Sequence, residues 1–394
     1  MKQVLVLNQF ALPRSQGGGT RHIDLFSRLK GWEPKIVAGD RNHYTQEQYA
    51  TDDGRFQLVG VPTQSGGAKA RLQTWLVYCG KAAVEGIKYR DLDVVFASSP
   101  HLLTPLTGWA VARLKGAAFV LEVRDLWPES FVAADLLERD SLLHKALQYL
   151  EAFLVSRADE VVVVTDGWED HLTSIGADLD HYNVIRNGTE PSDFTIEGFD
   201  REAERAKLGL ERTTAVFAGA HGPKDGIDLI LDAAKEVPDI DFLLVGDGPI
   251  KVAAIERGRV EGITNVTFRD SVPKDQLARL LRACDIGIHA VTPLPVFELG
   301  MSPNKLFDYL AAGLPIVSNA GAPVRQLIGE SEVGYVGPSD SLPKGLRTAI
   351  DADTATKTAW KERGTDILAA QFNRADAAAQ LETVLNQAAD RSRR

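Results

Sequence analysis

Short runs of Val, Leu, Ile and Phe recur along the chain, separated by stretches whose apolar residues fall at helical spacing. Runs too short for a helix and bounded by Gly, Pro or polar clusters read as buried strands. Their alternation with helices is the pattern of β-α-β units around a parallel sheet. The pattern predicts strands at 4–7, 35–38, 57–61, 94–97, 119–123, 161–165 and 183–185. It lapses over Arg186-Asn187-Gly188-Thr189-Glu190-Pro191-Ser192-Asp193-Phe194 and restarts with strands at 215–218, 242–245, 266–269, 286–289, 315–318 and 334–336. Two sheets in one chain imply two α/β domains, 1–190 and 191–372, followed by an Ala-rich helix over 373–394. Each half runs a strand into a glycine-rich turn, Gly17-Gly18-Gly19 and Gly246-Asp247-Gly248-Pro249. Ligands of open α/β sheets collect at the carboxyl ends of strands, so two such domains facing one another would bury a ligand in a central cleft.

The stretch from Ser302 to Pro315 reads as a short helix built to hold an anion. Ser302 suits the N-cap, Pro303 the first helical position and Gly313 the C-terminus, while Pro315 prevents continuation. Leu306, Phe307, Leu310 and Ala311 give a core face, and Lys305 and Asp308, three apart, share another. A lysine in a first turn opposes the positive end of the helix dipole, and an anion would remove the conflict. The backbone N–H groups of Asn304 to Leu306 with the Lys305 ammonium would bind phosphate, and Asp308 would accept hydrogen bonds from a ribose diol. Together they imply a nucleoside diphosphate. Taken alone, a helix start of this kind favours a surface helix whose lysine faces water, and the rest of the chain has to decide.

Composition narrows the remaining classes. The 394 residues are 44% hydrophobic, enough for ordinary cores, and the formal net charge of -10 argues against nucleic acid as a partner. Cys79 and Cys284 stand far apart without metal-ligand spacing, which fits a reducing compartment and gives no zinc site. No apolar run approaches a membrane span of about 20 residues, and the N-terminus lacks a signal-peptide pattern. The expectation is a cytoplasmic protein.

With these motifs in place, the chain resembles the retaining glycosyltransferases of family four, closest to the branch that builds bacterial surface polysaccharides. The resemblance rests on Gly17-Gly18-Gly19, Leu121-Glu122-Val123-Arg124-Asp125-Leu126-Trp127-Pro128-Glu129, Val184-Ile185-Arg186-Asn187-Gly188, Phe217-Ala218-Gly219, Val245-Gly246-Asp247-Gly248-Pro249 and the Ser302–Pro315 stretch. It implies the GT-B fold, two Rossmann-like doubly wound parallel-sheet domains facing a central cleft. It further implies a nucleotide sugar donor held by the C-terminal domain and an acceptor held by the N-terminal one: a glycan, a lipid-linked sugar or a small metabolite. The last helix, near Arg374 to Arg391, would cross back onto the first domain, and no metal or other cofactor is expected. Donor-binding positions carried over are Gly18, Gly19, Asn187, Gly219, Lys224, Gly246, Asp247, Gly248, Ser302, Asn304, Lys305, Leu306 and Asp308. Catalytic positions are Arg124, Asp125 and Lys305, with Asp125 orienting the acceptor. Where many members carry a sugar-contacting glutamate this chain has Gly300, with Glu298 nearby. In place of their Arg and Lys in the first C-domain loop it has Ala220 and Asp225, with Lys224 one residue off. The reaction implied is metal-independent front-side substitution with retention, in which preorganised cations and amides stabilise the leaving diphosphate.

Other residues carry less weight. His101 reads as a solvated helix-start histidine. Trp75, Leu76 and Tyr78 beside Lys69 and Arg71, and the apolar spacing of 142–154, fit packing somewhat better than a weak peripheral contact with the inner face of the cell membrane. The rival classes are a nucleotide-sugar epimerase or pseudo-glycosyltransferase on the same fold, a dinucleotide oxidoreductase and a non-catalytic nucleotide-sugar-binding partner. The oxidoreductase would use Asp40 as its ribose acid, yet His22 stands where a third glycine belongs and neither glycine turn completes G-x-G-x-x-G.

Overall fold

A computed structural model describes residues 1–16, 19–43, 45–64, 67–133, 137–330 and 332–392. The chain divides into two compact units, one built on Met1–Arg14, Gly19–Arg186 and Arg374–Arg394, the other on Asn187–Asn373. In the first unit the predicted strands form as β1 (Lys2–Leu7), β2 (Trp32–Gly39), β3 (Phe56–Val59), β4 (Val94–Ser98), β5 (Ala118–Val123), β6 (Glu160–Val163) and β7 (Tyr182–Val184). They make one parallel sheet in the order β3-β2-β1-β4-β5-β6-β7. The second unit contains β8 (Thr214–Ala218), β9 (Asp241–Val245), β10 (Val266–Arg269), β11 (Ile286–His289), β12 (Ile316–Ser318) and β13 (Gly334–Val336), again parallel, in the order β10-β9-β8-β11-β12-β13. β1 pairs with both β2 and β4, and β8 with both β9 and β11. The winding reverses at these two strands, and beyond their carboxyl ends lies the crevice where doubly wound sheets bind ligands.

Helices cover both faces of each sheet, so β1, β4, β5, β6, β8 and β11 are buried along most of their length. In the second unit one face packs Val216, Leu243 and Ile316 against Leu306, Phe307 and Leu310, and the other packs Phe217, Phe242 and Leu244 against Ile230, Leu231 and Leu346. In the first unit the helix Arg374–Ser392 lays Ala378, Leu381, Leu385 and Ala388 against Val4, Phe26, Val94 and Val120. Arg374 adds a polar tie there, with Nε 3.6 Å from Asp24 Oδ2; that carboxylate also accepts from Thr20 Oγ1 at 2.7 Å.

The first unit also buries charge. Glu122, near the end of β5, is fully enclosed; one carboxylate oxygen accepts from Arg21 Nε at 2.8 Å and the other lies 2.8 Å from His22 Nε2. Arg21 uses its remaining guanidinium donors on the carbonyls of Ile185 and Arg186, at 2.8 and 3.0 Å. The triad thereby ties the short helix Arg21–Phe26 to β5 and to the residues that follow β7. Burial pushes the Glu122 carboxyl up, but the charges of Arg21 and His22 outweigh it and hold the group well below the usual carboxylate range. Burial drives His22 below its ordinary value. Both shifts act in the same direction on stability. As pH falls below about 6.5 the unfolded chain takes up a proton at His22 that the folded chain resists, and at lower pH the same holds for Glu122. Stability is therefore complete near neutrality and declines as the medium is acidified. Replacing Glu122 by Ala strands two buried basic groups and should cost about 3–5 kcal/mol in urea unfolding at neutral pH. A loss below about 1 kcal/mol would show that the triad does not hold the unit together.

Candidate donor site and the ends of the two sheets

The helix Asn304–Ala312 begins one residue later than its sequence suggests. Pro303 is extended, with φ -74° and ψ 128°, and occupies the capping position itself. Ser302 is drawn away from capping by Asn187, whose backbone N–H donates to Ser302 Oγ at 3.3 Å and whose side-chain amide donates to the Ser302 carbonyl at 2.6 Å. These two expected ligand-binding residues thus engage each other and fix the approach to the helix. The Leu306 N–H, expected to face an anion, donates to the Pro303 carbonyl at 3.2 Å, which leaves the amides of Asn304 and Lys305 as first-turn donors. Asn304 Oδ1 is buried without a hydrogen-bond partner. At the other end Gly313 takes φ 74°, the left-handed conformation that closes a helix. Tyr309 locks the helix to the sheet: its hydroxyl donates to the Ile288 carbonyl at 3.0 Å and accepts from the Ala218 N–H at 2.9 Å, bridging β11 and β8 where the winding reverses.

Lys305 runs from this helix across Gly219, just beyond β8. A Cβ at Gly219 would lie 2.7 Å from Lys305 Cε, so the lysine passes through space that only a glycine leaves open. Its ammonium sits 3.8 Å from the centroid of the Phe217 ring and 3.3 Å from Asp225 Oδ1. Burial lowers the Lys305 pKa, with Asp225 opposing the shift. The other oxygen of Asp225 accepts from the Gly222 N–H at 3.2 Å. Asp308, one turn along the helix, is buried and paired with the ammonium of Lys274. Lys274 escaped the sequence reading, although it opens the helix Lys274–Ala283 and so presents the same signal as Lys305, a lysine in a first helical turn. Lys224 is exposed, and its carbonyl accepts from the Thr292 N–H at 3.1 Å.

The turns after β8 and β9 brace each other. His221 N–H donates to the Asp247 carbonyl, and Gly219 N–H to that of Val245, both at 3.0 Å. A Cβ at Gly246 would fall 1.8 Å from the Gly219 carbonyl oxygen, and one at Gly248 would fall 2.4 Å from that of His221. Asp247 turns its carboxylate to Ser271, accepting from the N–H at 2.8 Å and the hydroxyl at 2.6 Å, and to Lys251 at 2.9 Å. It joins these turns to the residues after β10. His221, which the sequence reading passed over, is fully buried with both ring nitrogens unpartnered, and burial with the nearby Lys251 charge lowers its pKa to about 4.

In the first unit, Gly18 lies outside the described residues, and a Cβ at Gly19 would meet nothing within 4 Å. Arg124 and Asp125 follow β5, both half-buried, and the Arg124 N–H donates to Ser99 Oγ at 3.2 Å. His101 is not solvated, as its sequence suggested, but 1% exposed; it stacks on Trp75 at 4.6 Å, accompanied by Gln9 Oε1 at 3.1 Å from Nε2, and burial lowers its pKa to about 3. Trp75 in turn meets Trp127 and Phe131 edge-on, which encloses a histidine that sequence position alone leaves open. A pocket beside this aromatic group is lined by Gln9, Phe10, Arg41, His43 and Thr74. On the helix Gly67–Lys88, Tyr78 is buried with its hydroxyl on the Val37 carbonyl, whereas Leu72 and Leu76 are exposed. Leu142, Leu143 and Tyr149 are exposed on the helix Leu142–Arg157, whose Leu154 and Val155 pack inward. No helix among the described residues is long and apolar enough to cross a membrane. Asp40 accepts from the Val61 N–H and from Gln48 Nε2 with its two oxygens, and His22 belongs to the buried Glu122 triad, so neither supports the dinucleotide alternative. Glu298 is exposed on the short helix Pro295–Glu298, and at Gly300 there is no carboxylate.

Both halves match glycosyltransferase family models: residues 27–188 a glycosyl transferase 4-like domain, and 212–352 the glycosyl transferases group 1. The probable glycosyltransferase WbjE of Pseudomonas aeruginosa is 26% identical over 66% of this chain and 65% of its own length. The putative teichuronic acid biosynthesis glycosyltransferase TuaH of Bacillus subtilis is 26% identical over 50% of this chain and 49% of its own. The match thus spans less than two thirds of these relatives. Among solved structures, Anabaena HepE in complex with UDP-glucose superposes with a TM-score of 0.72 at 17% identity, covering 98% of this chain and 100% of that one. WaaG, a glycosyltransferase involved in lipopolysaccharide biosynthesis, gives 0.68 at 16% identity, covering 98% of each. Two parallel Rossmann-like sheets with these neighbours define a GT-B protein. With its two family matches and its surface-polysaccharide relatives, the chain belongs to family four of the glycosyltransferases.

The glycine contacts yield a contrast in stability. Gly246→Ala drives a methyl group into a fixed carbonyl and should destabilise the protein by about 3 kcal/mol or more. Gly219→Ala meets a flexible lysine stem instead and should cost clearly less. Urea denaturation of the two variants checks the order, and equal losses would show that the turns relax around both substitutions.

Proposed function

We propose that the protein moves a sugar from a nucleotide diphosphate sugar to an acceptor hydroxyl with retention of configuration, by front-side substitution without a metal ion. The observation that carries this reading is the Asn304–Ala312 helix, which holds Lys305 and Asp308 one turn apart at the carboxyl end of a parallel sheet in a family-four chain. In this reading the Lys305 ammonium and the amides of Asn304 and Lys305 receive the negative charge that grows on the leaving diphosphate. Oriented donors in a desolvated site do this without reorganising. Asp308 accepts from the ribose hydroxyls, Gly219, Gly246 and Gly248 keep the strand ends low enough for the nucleotide to approach, and Asn187 and Ser302 hold the helix entrance. Deprotonation of the acceptor falls to a donor phosphate oxygen, so no separate protein base is required. Arg124 and Asp125 orient the acceptor, with the pocket near Phe10 and His43 and the Trp75 aromatic group offering the mixed apolar and hydrogen-bonding surface that sugars favour. UDP sugars are the first donors to assay, since UDP-glucose is the ligand of the HepE structure. For a lipid-linked acceptor, exposed Leu72 and Leu76 beside Lys69 suit a weak contact with the inner face of the cell membrane.

Lys305→Ala should lower kcat by about a hundredfold or more, because it removes a donor whose effect grows in the transition state. Asp308→Asn should mainly weaken donor binding, by roughly 1.5–3 kcal/mol, with some loss of thermal stability as Lys274 loses its partner. Steady-state kinetics separate the two defects, and wild-type donor affinity and turnover in both variants would remove the basis of the assignment.

Treatment with EDTA followed by desalting should leave turnover unchanged, as the charge stabilisation comes from the chain itself. Abolished activity that Mg²⁺ or Mn²⁺ restores would overturn the metal-independent mechanism.

A further inference from the structure

We propose that Asp225 is an internal stand-in for the donor's diphosphate, balancing the Lys305 charge until a nucleoside diphosphate displaces it. The proposal rests on the donor-site reading above and adds to it a residue that works against binding. Lys305 has a side chain only 11% exposed, and a desolvated ammonium needs an anion beside it. Asp225 Oδ1 supplies that anion at 3.3 Å, while Oδ2 is held separately by the Gly222 N–H. The carboxylate is thus anchored by its own turn and does not depend on the lysine for its position. A phosphate oxygen approaching Lys305 meets this carboxylate as a like charge, in surroundings where such repulsion is poorly screened.

Affinity for the diphosphate is therefore a difference, the attraction of Lys305 less the pairing with Asp225 that must be given up. A consequence is selectivity. An isolated anion has Lys305, the nearby Lys224 charge and two amides to draw it in against Asp225, whereas a nucleoside diphosphate also brings a ribose to Asp308, one turn along the same helix. Asp225 thus sets a threshold against any phosphate at Lys305, which a nucleoside diphosphate clears with its ribose on Asp308 and a small phosphate does not.

Isothermal titration of UDP and of inorganic pyrophosphate against the full-length wild-type protein, Asp225→Asn, Asp225→Ser and Lys305→Ala tests this. Both Asp225 variants retain a side-chain oxygen for the Gly222 N–H. UDP should bind them about tenfold more tightly than wild type, and pyrophosphate should gain by a comparable factor, because one like charge has left the site. Unchanged or weaker UDP binding in both variants, with Lys305→Ala still impaired, would overturn the proposal and leave the donor site standing. Unfolding of both variants by circular dichroism would also overturn it, since a stand-in must be dispensable to the fold. If Lys305→Ala binds UDP like wild type, the donor-site reading itself fails and the proposal with it.

Discussion

A lysine ammonium held out of water sets the terms for the ligand end of the second unit. Lys305 reaches its position only because Gly219 has no side chain, and it is tolerated there because Phe217 offers a ring face and Asp225 a carboxylate. The surroundings follow from that requirement. The Asn304–Ala312 helix must be fixed in rotation to deliver the lysine, and Tyr309 fixes it by bonding simultaneously to β8 and β11. Its start must be fixed along the chain, which Asn187 achieves by gripping Ser302 from both backbone and side chain.

The first unit uses buried charge differently. Glu122 with Arg21 and His22 forms a closed set in which carboxylate oxygens, guanidinium donors and nearby carbonyls satisfy one another. Such a set contributes specificity of assembly, because a displaced helix or strand would expose an unpaired charge to an apolar interior. Lys305 and Asp308 instead carry one principal counter-charge each, on side chains that keep hydrogen-bonding capacity. That contrast separates a closed ion network from pairs that rest on one counter-charge apiece.

Much of the fold was legible in the sequence because the inner strands of a doubly covered parallel sheet are largely apolar, and even the half-buried edge strands β10 and β13 begin and end where the pattern places them, as does β11. The pattern carries strands on to Val61 and Thr165, but β3 stops at Val59 and β6 at Val163: buried Val61 and Val164 continue the apolar run after ladder pairing has ended. The C-terminus of the Lys305 helix was equally legible, since Gly313 adopts the left-handed turn its position suggests. The N-terminus was not, because an Asn187–Ser302 interaction 115 residues apart in sequence overrides the local capping preference. Sequence singled out Lys305 and Asp308 through their spacing. It gave no means of seeing that Asp225 and Lys274 stand against them, or that His101 and His221 are enclosed.

The sequence by itself determined the two-sheet architecture, the family and the helix that bears Lys305 and Asp308. These depend on periodicity, on glycine and proline, and on motifs contiguous in the chain. Tertiary structure alone decided how each charged side chain is balanced, because an ion pair depends on distances between residues that different strands and helices deliver to the same sheet edge. Glu122 is buried because Arg21 arrives from a distant helix, and Lys305 is enclosed because Gly219 admits it and Asp225 meets it. No local pattern encodes such meetings; packing of the completed sheets creates them.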